Sequence, residues 1–127
     1  MNFARGMFYR PKLCASIISN MKPGEVWIVD IPELGTHEQS GIRPAVVVSS
    51  VAKTIATIIP FTGNKSAPRF PYTLSILPTK KNGLSSTSIA LIFHIRALDT
   101  SFLKKKVGEL DKKDFVSIRK EARRLIG

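Results

Sequence analysis

Six short runs of β-forming residues, separated by turn residues, are spread over residues 25–99. They cover residues 25–31, 44–50, 54–62, 72–77, 88–92 and 94–99. Several short strands at this spacing are typical of a small barrel or a curled sheet. No apolar run approaches the roughly 20 residues that a membrane-spanning helix needs. The pattern therefore predicts a mainly β fold that does not enter a membrane.

The first run predicts a strand that needs a cover on each side. From Val26 to Ile31 its alternating residues are apolar on both faces, with Asp30 as the exception. Residues 111–127 offer one cover, because Asp111 is placed to cap a helix and Leu110 and Phe115 have the spacing of a hydrophobic staple. Apolar residues then recur at helical intervals to the end of the chain. We therefore expect a C-terminal helix that closes the sheet.

The chain is strongly basic, and the predicted helix is basic on its outer face. Twenty Lys and Arg against nine Asp and Glu give a net charge of +11. Such a field attracts phosphate-rich partners, so nucleic acid is the first partner class and an anionic membrane surface a poorer one. A merely solvated basic surface is the alternative. The helix contributes Lys112, Lys113, Arg119, Lys120, Arg123 and Arg124.

The chain length fits one domain with one core. We assign this domain to residues 21–127 and treat residues 1–20 as a basic N-terminal extension, flexible or outside the native start. Cys14 is the single cysteine, so one chain can form neither a disulfide nor a multi-cysteine metal site. Two histidines add no recognisable zinc spacing. No metal or other cofactor is expected, and a cytoplasmic location fits this cysteine usage.

A loop with several reactive groups leads into the second run. Glu38, Gln39 and Arg43 lie within six residues, between glycines that allow sharp bends and a valine-rich strand. Functional residues often lie on loops that a rigid strand supports. This segment is therefore the first candidate for a functional site.

Three motifs, in this order, resemble those of the MazF/PemK toxin endoribonucleases. They are Lys-Pro-Gly-Glu-Val-Trp at 22–27, Gly-x-x-Glu-Gln-x-Gly-x-Arg-Pro at 35–44, and Pro-Phe-Thr at 60–62. The resemblance runs from about residue 21 to residue 127. It implies an SH3-like small β-barrel of the CcdB/MazF/PemK toxin-like kind, closed by a C-terminal helix and working as a two-fold homodimer.

The resemblance also implies a function. It suggests the toxin of a type II toxin-antitoxin system, a metal-independent endoribonuclease that cuts single-stranded messenger RNA. Its cognate antitoxin would present an extended acidic or amphipathic tail to the basic surface. In such cleavage the ribose 2′-hydroxyl attacks the adjacent phosphate, leaving a cyclic phosphate and a free 5′-hydroxyl. The protein then supplies a base, a stabiliser of the crowded phosphoryl group and an acid.

The resemblance places the key arginine at Arg43 and a second catalytic position at Thr62. A guanidinium is always charged and matches two phosphate oxygens, so we expect Arg43 to stabilise the transition state. Structural readings remain open, with Arg43 as an ion-pair partner of Glu38 and Thr62 as a turn residue. Glu38 is a candidate base or a support for Arg43. Candidate RNA-binding residues are Gln39, Asn64, Lys65, Arg69, Phe93 and Arg96.

The sequence departs from the resemblance at Phe93 and His94, where related toxins typically have an acidic residue and then glutamine. Phenylalanine offers a stacking face for a base, and histidine exchanges protons near neutral pH. The hypothesis that follows is an acid, base or phosphate-binding role for His94, with inert histidine as the alternative. The departure also affects which bases such a toxin would prefer.

Two other functions are compatible with the same residues. One is a noncatalytic SH3-like RNA-binding module, in which the basic and aromatic residues only hold the strand. The other is a CcdB-like toxin that poisons a protein and cuts nothing. The Glu-Gln-x-Gly-x-Arg-Pro motif favours the endoribonuclease over the CcdB-like toxin.

Overall fold

The computed structural model describes residues 21–32 and 41–127. The predicted extension 1–20 and the loop residues Glu38 and Gln39 lie outside the described residues. The strands are β1 (Glu25–Ile31), β2 (Gly41–Ala52), β3 (Ile55–Thr62), β4 (Thr73–Ile76), β5 (Ser88–Leu91), β6 (Arg96–Asp99) and β7 (Leu103–Glu109), followed by helix α1 (Lys112–Ile126). Short 3₁₀ turns occupy Ala67–Arg69, Ile92–His94 and Thr100–Phe102.

Strand β3 organises an antiparallel sheet with the order β4-β5-β3-β2-β1-β7. One edge of β3 pairs with β2, and its other edge pairs with β6 at Ile55–Ile58 and with β5 at Phe61–Thr62. The turn Ile92–His94 therefore joins two strands that share one edge of β3. Among the described residues no pairing joins β4 to β7, so the sheet is open and not a closed barrel.

Two apolar clusters cover the two faces of β1. The first contains Val26 of β1 and packs against Ile118 and Ala122 of α1. The second contains Val29 and Ile31, together with residues of β2, β3, β6 and β7. Because the chain itself buries this second face, its apolar character is explained without a second copy. The prediction that each face of β1 is covered is confirmed.

Helix α1 begins where the sequence predicts. Leu110 is 4% exposed and lies in the first cluster, with Phe115 packed against it, so the hydrophobic staple is confirmed. Asp111 occupies the N-cap position with extended backbone, but its carboxylate makes no hydrogen bond to the helix. That carboxylate lies 3.9 Å from Lys81 Nζ. The cap therefore acts through the backbone, and Phe115 N–H donates to the Asp111 carbonyl at 3.0 Å.

The mainly β fold with a C-terminal helix is confirmed, and several details differ from the sequence prediction. The second strand was predicted from residue 44 but begins at Gly41, so Arg43 lies in β2 and not in the loop before it. The predicted strand at 94–99 begins only at Arg96, because the Ile95 N–H donates to the Ile92 carbonyl at 3.0 Å and closes a 3₁₀ turn. Strand β7 was not predicted. The described part of the chain contains no helix with the length and apolarity needed to cross a membrane.

Candidate active site

The pairing of β2 with β3 brings Arg43 and Thr62 together. Ala45 pairs with Pro60, and Val46 pairs with Ile59, in an antiparallel register. Continuing that register by two residues places Arg43 opposite Thr62. Residues opposite each other on neighbouring strands project from the same face, with Cβ atoms about 5 Å apart. Two positions that are 19 residues apart in the sequence therefore face the same space.

That space is a cleft of about 260 Å³ at one end of the sheet. One side is formed by the start of β2 and the end of β3, and the other by the segment that leads into β5. None of the described residues lining it carries a carboxylate. They are Ile42, Arg43, Pro44, Phe61, Thr62, Gly63, Ser85, Ser86 and Ser88. A guanidinium and four hydroxyl groups thus converge in a setting suited to an anion.

Arg43 is half-buried beside this cleft. Burial lowers the pKa of its guanidinium from the ordinary value. A guanidinium is nevertheless the side chain that holds its proton most firmly in proteins, so Arg43 remains a cation at neutral pH. A charge that is partly removed from water interacts more strongly with a phosphate than an exposed one. Its position therefore favours binding of a phosphoryl group over proton transfer.

Thr62 presents a hydroxyl whose acceptor side is already engaged. The Asn64 N–H donates to Thr62 Oγ1 at 3.2 Å. The hydroxyl can still donate its own hydrogen to an oxygen in the cleft. Asn64 in turn accepts from the Ser66 N–H at 3.0 Å and from the Ser66 hydroxyl at 2.8 Å, through Oδ1. These short-range bonds fix the loop after β3 and hold the Thr62 hydroxyl in place.

A second hollow of about 450 Å³ continues from the cleft. It shares Gly63 and Ser86 with the cleft and is also lined by Lys65, Thr87 and Ile89. Of the predicted RNA-binding residues, Lys65 is thus placed beside the cleft. The loop residue Asn64 lies between Gly63 and Lys65 and has the structural bonds given above.

Four predicted site residues lie away from the cleft lining. Arg69 ends the turn Ala67–Arg69, and Phe93 and His94 lie in the turn after β5. Arg96 pairs with Ile58 in β3, toward the opposite end of the sheet. The structure therefore brings together Arg43, Thr62 and Lys65, and these four residues lie outside the described lining of the cleft and the hollow.

Three serines that the sequence prediction did not include complete the cleft. Ser85 and Ser86 are exposed, and Ser88 is buried at the start of β5. The Ser88 hydroxyl donates to the Ser86 carbonyl at 3.0 Å, which holds the backbone of this segment. The signal in the sequence is the hydroxyl-rich run at 85–88 directly before an apolar strand.

The described residues contain no group of three or more His, Cys, Asp or Glu side chains arranged to hold a metal ion. The described lining of the cleft itself offers one guanidinium and four hydroxyls.

Sequence comparison finds relatives with a named activity. The family profile of PemK-like, MazF-like toxins of type II toxin-antitoxin systems matches residues 22–126. An endoribonuclease MazF from Staphylococcus saprophyticus is 32% identical over 97 residues, which cover 73% of this chain and 80% of that protein.

Solved structures share the fold. The crystal structure of MazF from Deinococcus radiodurans superposes with a TM-score of 0.70 at 24% identity, covering 84% of this chain and 96% of that one. A mycobacterial endoribonuclease in complex with its cognate antitoxin gives a TM-score of 0.62 at 19% identity, covering 83% and 93%. At these identities the likeness concerns the fold alone.

Proposed function

Because the chain belongs to the PemK-like, MazF-like toxins of type II toxin-antitoxin systems, we propose that it is an endoribonuclease that cuts single-stranded messenger RNA in the cleft beside Arg43 and Thr62. The observation that carries this proposal is the convergence of the two side chains in one cleft, whose described lining carries no carboxylate. The two residues are distant in the sequence, and the pairing of β2 with β3 places them opposite each other.

The reaction is the attack of a ribose 2′-hydroxyl on the adjacent phosphate. The oxygen–phosphorus bond to the 2′-oxygen forms, the bond to the 5′-oxygen of the next nucleotide breaks, and a 2′,3′-cyclic phosphate remains. The 2′-hydroxyl gives up its proton, and the departing 5′-oxygen gains one. Charge accumulates on the phosphoryl oxygens, so a fixed cation and fixed donors lower the barrier most.

Arg43 is the group that we assign to the phosphoryl oxygens. Its planar fork donates to two oxygens at once, and its partial burial strengthens the interaction. Thr62 donates its hydroxyl hydrogen to the same phosphate, and the bond from Asn64 prepares the hydroxyl for that geometry. The exposed hydroxyls of Ser85 and Ser86 are further donors on the opposite wall.

The proton transfers need further groups besides Arg43 and Thr62. Glu38 is our candidate base, from its place in the Glu-Gln-x-Gly-x-Arg-Pro motif, although it lies outside the described residues. Gln39 is proposed as an RNA contact on the same ground. His94 remains a hypothesis for proton exchange, with its position beyond β5 as the point against it.

The hollow beside the cleft suits the next part of the strand. Lys65 offers a point charge to the backbone phosphate, and the cleft and hollow share Gly63 and Ser86. A single strand fits such a path because its phosphates are not held in a duplex. We propose that the RNA crosses Gly63 on its way from one to the other.

The partners proposed for this toxin are its antitoxin and a second copy of itself. A mycobacterial relative with the same fold was solved with its cognate antitoxin. An acidic or amphipathic tail would complement a chain of net charge +11 and block the cleft. The two-fold homodimer and the cytoplasmic location are proposed from family membership.

One experiment separates this function from mere RNA binding. Purified protein, freed of antitoxin and dialysed against EDTA, is incubated with several single-stranded RNAs, and fragments ending in cyclic phosphate are sought. We expect a 2′-deoxy nucleotide at the cut site or Arg43→Ala to abolish the fragments. Lys53→Ala is the control, since it removes one charge from the β2–β3 turn, away from the cleft. RNA that stays intact with folded wild type would support the noncatalytic alternative.

A further inference from the structure

A row of flat side chains lies at the far end of β5 from the cleft. The Arg69 guanidinium stands over the Phe70 ring at 5.2 Å. The Phe70 and Phe93 ring centroids are 5.9 Å apart, and the Phe93 and His94 centroids are 4.5 Å apart. We call these four residues the aromatic row.

Pairing of β4 with β5 builds this row from two distant segments. Thr73 pairs with Leu91, and the Ile92 N–H donates to the Tyr72 carbonyl at 3.0 Å, which continues the ladder. The residues just before β4 and just after β5 are therefore neighbours. Phe70 and Phe93 lie in these two positions.

The two rings are not core residues. Phe70 is 47% exposed and Phe93 is 37% exposed, while most large apolar side chains of the sheet are buried. A pair of half-exposed rings leaves apolar faces in water, which is a typical feature of binding surfaces. The rings are tilted by 49° and therefore do not stack on each other. Each can offer a face to a third planar group.

The charge of the surrounding segment indicates which kind of molecule carries the planar group that would stack on these rings. In the sequence, residues 41–98, which include the row, contain seven Lys and Arg, namely Arg43, Lys53, Lys65, Arg69, Lys80, Lys81 and Arg96, and not one Asp or Glu. Helix α1 packs against the turn Ile92–His94 and adds Arg124 over the Tyr72 ring, with Glu121 paired to that arginine. Exposed aromatic faces in a basic segment are the combination that holds single-stranded nucleic acid. Arg69 adds a planar cation that can stack on a base or bind a phosphate.

Two connections run from the cleft to the row. The loop 63–70 passes from Gly63 in the cleft, past Lys65 in the hollow, to Arg69 and Phe70. Strand β5 runs from Ser88 in the cleft to Leu91, a rise of about 10 Å. The row is therefore close enough for bases a few nucleotides from the cut site.

We infer that the aromatic row is a stacking site for one or two bases of the RNA outside the cut site, with Phe70 and Phe93 as the stacking faces. Phe93 thus sets where the strand lies and does not take part in the chemistry. The inference rests on the proposed function in that its ligand is RNA.

The test uses the full chain and a single-stranded RNA with a 2′-deoxy nucleotide at the mapped cut site. 2-Aminopurine replaces one base at a time along the strand, because stacking quenches its fluorescence. We expect quenching at one or two positions away from the cut. Phe93→Leu or Phe70→Leu should remove that quenching and raise Kd about 5-fold or more. Phe93→Tyr keeps an aromatic ring and should therefore keep both the quenching and the Kd of the wild type.

Matched variants separate stacking from general charge. Arg69→Gln should weaken quenching at the row, whereas Arg119→Gln removes the same charge from a cation–π pair on α1 and should not. The inference is overturned if both Leu variants keep the quenching and the Kd of the wild type. It is equally overturned if these variants keep both and lose only the binding of the antitoxin. If the wild type cuts no RNA, the proposed function fails. The inference can still be tested in that case, by measuring Kd and 2-aminopurine quenching on an RNA strand without the 2′-deoxy nucleotide.

Discussion

Lys106 Nζ lies 3.0 Å from Glu25 Oε2, and this ion pair joins the edge strand β7 to the first residue of β1. The Glu25 side chain is only 3% exposed, and its other oxygen accepts from the Lys22 N–H at 3.0 Å and from Trp27 Nε1 at 3.1 Å. One carboxylate therefore holds a turn, an indole ring and a neighbouring strand. The motif at 22–27 is a structural unit of the fold.

Stability should depend on the ionisation of Glu25. Burial alone raises the pKa of this carboxyl, but hydrogen bonds from Lys22, Lys106 and Trp27 and the charge of Lys106 outweigh it and leave the pKa below its ordinary value. A carboxyl with a lowered pKa contributes stability that is complete above the unfolded pKa, about 4.3, and is lost as pH falls through the folded pKa.

We therefore expect Glu25→Gln to lower the free energy of unfolding by about 1–3 kcal/mol at pH 7 and by less in acid. Urea unfolding of wild type and variant between pH 7 and pH 3 measures this difference. Glu121→Gln, which loses an ion pair to the exposed Arg124, is the control and should change stability little. A gap between wild type and Glu25→Gln that stays constant with pH would contradict the assignment.

Gly108 should tolerate no side chain. A Cβ at this position would collide with the Lys81 carbonyl oxygen and with the Asn82 backbone. The Glu109 N–H also donates to the Lys81 carbonyl at 2.9 Å, so the two segments cannot separate without losing that bond. We expect Gly108→Ala to cost about 1–3 kcal/mol. Thermal unfolding is the measurement, and Gly63→Ala, whose Cβ would meet nothing within 4 Å, should leave Tm unchanged.

The hydroxyl of Thr62 should matter for the rate and little for the fold. Thr62→Val keeps the shape and removes the donor, so we expect kcat to fall about 100-fold, as for the loss of one donor to a developing charge. Thr62→Ser should keep most of the rate. Thr57→Val is the matched control, because Thr57 is half-buried on the same strand but does not line the cleft. Equal kcat in Thr62→Val and wild type would remove Thr62 from the mechanism.

His94 offers a choice between two roles. Its ring packs 4.5 Å from that of Phe93, and it does not line the cleft, so we expect His94→Gln to raise KM and to keep the pH profile of kcat. A lost or shifted limb in that profile would instead support proton exchange by His94. The measurement is kcat and KM from pH 5 to pH 9, with Thr62→Ser as a control for a small change within the site.

The sequence alone predicts local features of this fold better than its long-range pairing. The bounds of β1 follow from the run of β-forming residues, and the staple at the start of α1 follows from the spacing of Leu110 and Phe115. Strand β7 was missed because Lys104, Lys105 and Lys106 interrupt the apolar alternation. Lysines are tolerated there because β7 is an edge strand that pairs only with β1 among the described strands.

The candidate site shows the same limit. Arg43 and Thr62 were predicted from the resemblance, and Ser85, Ser86 and Ser88 were not, because only the packing of the segment before β5 brings them to the cleft. The contact between Phe70 and Phe93 depends on the register of β4 with β5. No local pattern specifies that register, since 22 residues lie between the two rings.

Salt dependence should identify Lys65 as a phosphate contact. Each phosphate that a cation neutralises releases counterions, so the logarithm of the binding constant falls with the logarithm of the salt concentration, by about 0.7 per contact on a single strand. We expect Lys65→Gln to reduce that slope by about 0.7 and to weaken binding to all RNA sequences alike.

Fluorescence anisotropy with the 2′-deoxy strand between 50 mM and 300 mM salt measures the slope. Lys53→Gln removes the same charge from the β2–β3 turn and should leave the slope unchanged, because Lys53 lines neither the cleft nor the hollow. Equal slopes for wild type and Lys65→Gln would mean that the strand leaves the cleft in another direction.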